Sequence, residues 1–149
     1  MTLATTEYTD ADMLIDALEN DSNHDILNLT TDKINTIKSG IFDELSIDAV
    51  SRKKLTAQLD GYIYIDEIPN FKVGSFIRWV SLNNLPDVKL TRGGYVCYIN
   101  ITGIGTGVVV KTVFGKFIHL YIDKIVAFRK LSNDELILLH AMNYLDISI

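Results

Sequence analysis

Arg78, Trp79, Arg92, Tyr95, Lys116, Phe117 and His119 are the residues of this chain whose types and spacing suit a definite chemistry. Aromatic rings stack on nucleobases and nearby cations neutralise phosphates, so strands that interleave the two make single-strand binding surfaces. Their surroundings are unusual in charge. Between residues 71 and 130, nine Lys or Arg stand against only Asp87 and Asp123, a net of +7 in a chain whose total is −5. A blander role competes, because aromatics at alternating strand positions most often pack a core. The acidic pI near 5.0 also opposes free nucleic-acid affinity.

Other reactive side chains are scattered. His24, His119 and His140 lie far apart in sequence, and no Cys, His or carboxylate spacing matches a zinc site, so neither a metal nor a cofactor is expected. Cys97 sits inside a predicted strand with no base beside it, which suits an inert thiol. The glycine loop GIGTGVVVK lacks the Walker spacing and precedes strand rather than helix, so it reads as a hairpin. Asp66 and Glu67 are neighbours on a strand and point to opposite faces, unsuited to paired acid and base work. No catalytic constellation emerges, and the chain is expected not to be an enzyme.

The elements that position these residues follow from hydrophobic period. Thr9 or Asp10 caps a first helix with Met13, Leu14, Ala17 and Leu18 on one face, a candidate docking arm. A polar break from Asn20 to His24 follows. A second helix starts at Thr30 or Thr31 and carries Ile34, Ile37, Ile41 and Leu45; Ser46 then caps a third, over 47–59, with Val50, Leu55 and Leu59 on one side and Arg52, Lys53 and Lys54 toward solvent. From Gly61 the period changes to two. Glycines at 93–94, 103–107 and 115 divide the region into about five strands, apolar on both faces. After Lys130 helical spacing returns, with Ser132 or Asn133 capping a helix expected to seal one end of a barrel. The predicted fold is α+β: an N-terminal helical arm and hairpin, a five-stranded SH3-like antiparallel β-barrel and a C-terminal helix. Residues 1–29 form an acidic arm and linker, and residues 30–149 a single core domain.

The bounds on location are broad. A chain of 149 residues buries a core without staples, and its single cysteine excludes an internal disulfide. The first residues lack the basic and apolar regions of a secretion signal, and no run reaches the roughly 18 apolar residues of a membrane span, so a soluble, unsecreted protein is expected. Charge is unevenly shared. Residues 1–60 carry twelve acids against five bases, whereas residues 61–149 carry seven against nine, a division that suits an anionic partner or contact between the halves.

The pair Arg78-Trp79, the turn Leu90-Thr91-Arg92-Gly93-Gly94 and the step Lys130-Leu131-Ser132, following a helical hairpin, are landmarks over roughly residues 31–145. In these the chain resembles a group of small proteins encoded by large nucleocytoplasmic DNA viruses, although Arg92 stands where an Asn is more usual. The resemblance implies a viral context, in the virion or the cytoplasm of an infected cell, and suggests a minor capsid or assembly role with other virion or assembly proteins as partners. It carries no activity. A non-enzymatic scaffold is thus the leading expectation, with nucleic-acid binding through the basic aromatic face as the alternative.

Overall fold

The computed structural model describes residues 9–85 and 87–148, without the side chains of His24, Ile147 and Ser148. The chain divides into two compact units, Met1–Thr36 with Leu131–Ile149, and Ile37–Lys130. Their charges are opposite. The first unit holds eleven acids and one base, Lys33, for a net of −10; the second holds thirteen bases and eight acids, for a net of +5.

In the first unit, helix α1 spans Asp10–Glu19. Thr9 and Asp12 form a reciprocal capping box, the Thr9 side chain accepting from the Asp12 N–H while Asp12 accepts from the Thr9 N–H, which satisfies donors that a helix start leaves orphaned. A 3-10 helix, Asp21–Ile26, fills the expected polar break, and helix α2, Thr31–Glu44, begins in this unit. Ser132 and Glu135 cap the last helix, Asn133–Ser148, in the same reciprocal way. Side-chain bonds join the two ends of the chain here. The Thr31 N–H donates to Asn143 Oδ1 at 2.8 Å, Asn143 Nδ2 donates to Thr31 Oγ1 at 2.7 Å, and Asn23 Nδ2 donates to Asp134 Oδ2 at 3.4 Å.

In the second unit the rest of α2 is followed by helix α3, Ala49–Gln58. Its cap is Asp48, whose carboxylate accepts from the Ser51 N–H at 2.8 Å, and not Ser46, which takes a positive φ of 53° in the turn. Five residues of helix turn about 140°, which sets the buried face. Leu55 and Leu59 are buried, while Val50, five residues before Leu55, points away and is largely exposed. Arg52, expected in solvent, reaches back to α2, donating to Asp43 and to the Ser39 side chain and carbonyl, with its guanidinium over the Phe42 ring.

Lys38 does the same from the other helix. Its buried ammonium donates to the Leu59 carbonyl at the end of α3, 2.9 Å away. Burial pushes its pKa down, and Asp60 opposes the shift. In the folded state Lys38 thus releases its proton more readily than the unfolded chain does, whose lysine stays near 10.5. Unfolding then takes up protons, so stability should rise as pH climbs toward 10.5. Tyr62 and Tyr64, raised above 10.0 mainly by burial, act oppositely but only once pH passes that value. Urea unfolding between about pH 8 and 10 checks this: Lys38→Met should remove the rise while changing stability at neutral pH by less than about 1 kcal/mol, because the lost bond and the relieved burial offset.

Six strands follow: β1 Tyr62–Tyr64, β2 Phe76–Ser81, β3 Gly94–Thr102, β4 Gly105–Thr112, β5 Phe117–Tyr121 and β6 Ile125–Lys130. They form one antiparallel sheet in the order β1-β6-β2-β3-β4-β5, with β1 and β5 as edges. The five-stranded SH3-like barrel is therefore corrected to a six-stranded sheet that does not close. The extra strand is β6, which enters between β1 and β2 after a 3-10 turn at Ile122–Lys124 that contains no glycine or proline. Each face has its own core. Ile77, Trp79, Val96, Val108, Val110 and Ala127 pack with Ile65 and Phe71 on one side. On the other, Phe128 packs with Phe42, Leu55 and Leu59 of the helices.

Candidate functional site

The helical hairpin covers its face of the sheet only around β1, β6 and β2, where Tyr62, Tyr64 and Val126 join Phe128 against Phe42, Leu55 and Leu59. Over β3, β4 and β5 the same face carries a grid of side chains. The strand registers place Tyr95, Lys111 and Phe117 in one row, Tyr98, Val109 and His119 in the next, and Asn100, Gly107 and Tyr121 in the third. Rows two residues apart along a strand are separated by roughly 6.6 Å.

A β-bulge makes the grid. Cys97 is left unpaired between Val96 and Tyr98, so the strand changes phase there and Tyr95 and Tyr98 share a face although three residues apart. Tyr95 is 56% exposed, Tyr98 54% and Phe117 65%, and His119 is also exposed. Their rings have fixed neighbours. Phe76 meets Tyr95 edge-on with centroids 5.1 Å apart, the Lys111 ammonium lies 5.7 Å from the Phe117 centroid, and His119 stacks on Tyr121 at 4.9 Å. Gly107 lets the imidazole lie flat on the sheet, since a Cβ there would come within 2.0 Å of His119 Nε2. No Asp or Glu occurs between Asp87 and Asp123, so all three strands are free of acids.

This surface keeps some of the residues expected from sequence and loses others. Tyr95, Phe117 and His119 belong to it. Lys116 is exposed in the β4–β5 turn beside it, and Arg92 is exposed with its guanidinium 5.5 Å from the centroid of Phe114 in that turn. Trp79 does not belong: it is 6% exposed and lies in the core on the opposite face. Arg78 points toward the helices, donating from Nε to the Thr91 carbonyl at 2.8 Å and sitting beside Tyr62, where its charge opposes the upward shift that burial imposes on the phenol. Sequence reading missed Tyr98, Lys111 and Tyr121. The bulge at Cys97 hides Tyr98, and Lys111 and Tyr121 become visible only once β4 and β5 are registered.

The Arg78-Trp79 pair and the turn over residues 90–94 are bonded to each other. The Thr91 N–H donates to the Trp79 carbonyl at 3.0 Å, and the Trp79 N–H donates to Thr91 Oγ1 at 3.2 Å. Next to them, a Cβ on Gly93 would stand 2.4 Å from the Ile77 carbonyl oxygen, and one on Gly94 2.5 Å from that of Lys111. These motifs hold β2 and β3 together. Comparison of the chain with protein-family models, with curated proteins and with solved structures returns no match. The geometry alone therefore carries the functional reading.

The candidate docking arm behaves differently. Met13 and Leu14 line a groove of about 380 Å³ with Asp10, Leu136, Ile137, His140 and Ala141, whereas Ala17 is fully buried and Leu18 is 40% exposed. Among the described residues no group of three or more His, Cys, Asp or Glu gathers as a metal site, and no helix is long and apolar enough to cross a membrane.

Proposed function

We propose that the face of β3, β4 and β5 binds single-stranded nucleic acid by stacking. The observation that carries this reading is the acid-free grid, in which Tyr95, Tyr98, Phe117 and His119 stand exposed around Lys111. The main objection from sequence was that such aromatics belong to a core. Here the core on the opposite face is filled by Trp79, Phe71 and aliphatic residues, which leaves these rings to solvent. Base–aromatic stacking contributes about 1–3 kcal/mol per base and tolerates any sequence. The acids that lower the overall pI lie largely in the other unit, and the unit that bears the grid is net positive.

Fluorescence anisotropy with a labelled single-stranded oligonucleotide tests this. Micromolar affinity is expected, falling with salt at a log–log slope of about −2 if Lys111, Lys116 and Arg92 each contact a phosphate. No binding at low salt overturns the reading. A second reading has its own support: Ile104, 81% exposed, stands at the β3–β4 tip with Ile101, and Phe114 with Val113 at the next tip. Such apolar tips suit protein contacts in a structural or assembly role, including the virion setting that the viral resemblance suggests.

A further inference from the structure

The edge strand β5 has a residue pattern that reads alike in both directions. Phe117, Ile118, His119, Leu120 and Tyr121 run aromatic, aliphatic, imidazole, aliphatic, aromatic. The bond from the Thr112 N–H to the Lys116 carbonyl, 2.7 Å, sets the phase of the β4–β5 ladder. By alternation the backbone groups of Ile118 and Leu120 face β4, and those of Phe117, His119 and Tyr121 face outward. β5 is last in the sheet, so among the described residues no strand lies on that side.

Natural edges are usually blunted by an inward charge, a proline, a bulge or a covering element. None of the first three occurs within Phe117–Tyr121. Ile118 and Leu120 pack against the core yet remain only partly buried, as side chains at an uncovered rim do.

We propose that two copies of this chain pair antiparallel through β5, about a two-fold axis at His119. A two-fold contact must be self-complementary, and this register satisfies that. Phe117 meets the partner's Tyr121 on one face, Ile118 meets the partner's Leu120 on the other, and the outward backbone groups exchange hydrogen bonds across the axis. Aromatic cross-strand pairs of this kind are favourable. Charge also matches at the strand ends: Lys116 falls opposite the partner's Ile122 and so stands one position from the partner's Asp123. The other edge, β1, has only three residues and offers no comparable match.

The test is sedimentation equilibrium of the full chain without nucleic acid, from about 1 to 300 μM, a span that covers weak dimers. Its outcome is thus separate from that of the stacking reading. A monomer–dimer equilibrium is expected, and His119→Lys, which sets two like charges against each other at the axis, should raise the dissociation constant at least about tenfold with an unchanged circular dichroism spectrum. Lys116→Asp should weaken the dimer several-fold, and adding Asp123→Lys should restore it; both residues are exposed, so folding is not at stake. A chain that stays monomeric throughout overturns the proposal. So does a Lys116→Asp, Asp123→Lys double variant no tighter than Lys116→Asp alone.

Discussion

Alanine at Trp79 should lower the unfolding free energy by about 3–5 kcal/mol, as removal of a buried aromatic does. Trp79 is 6% exposed and packs with Ile77, Val96, Val108, Val110 and Ala127, so truncation leaves a void amid side chains that relax only in part. With native domains stable by about 5–15 kcal/mol, the variant should sit near its unfolding threshold. Urea denaturation followed by far-ultraviolet circular dichroism measures the loss. Phe117→Ala is the informative control. Its ring is 65% exposed, and a surface truncation there should change stability by less than about 0.5 kcal/mol. Equal losses for the two variants would contradict the division of aromatics between the two faces of the sheet.

Binding should show the reverse order. Tyr98→Ala and Phe117→Ala should each weaken single-strand affinity by about 1–3 kcal/mol, or about 5- to 150-fold, and the double variant more. They lie in adjacent rows at opposite margins of the grid, on β3 and β5, so one extended strand spans both. Lys111→Gln should act through salt, reducing the magnitude of the log–log slope by about 0.7. Anisotropy titrations at two salt concentrations separate these effects. If single-strand binding occurs but survives loss of both rings, the oligonucleotide sits elsewhere and the grid is better read as a protein contact.

The physical reasons for what was legible in sequence differ from element to element. Helix starts were visible where a side chain accepts from the backbone three residues on, as at Thr9 and Ser132. Ser46 gave the same signal and failed, because Asp48 competes for the role two residues later. Strands β2 to β5 were legible from glycine punctuation. β6 was not, since nothing between Tyr121 and Ile125 marks a break, and with it the order of the sheet was lost. The candidate site was half visible. Tyr95, Phe117 and His119 could be picked out by type, but the assignment of faces requires knowing that Cys97 is skipped in the ladder, and no local pattern announces a bulge. Trp79 was misplaced for the converse reason: its alternation with Arg78 is real, yet alternation alone does not say which face meets water.

The division of the chain also bears on how it is made. Ile37–Lys130 is one uninterrupted stretch, complete soon after it leaves the ribosome, whereas the acidic unit is assembled from both ends. Thr31 and Asn143, which bond to each other, are 112 residues apart. At about 5–20 residues per second, the first helix emerges on the order of ten seconds before the segment that completes its unit. During that interval Met13, Leu14 and Ala17 lack the helix Asn133–Ser148 that completes their unit.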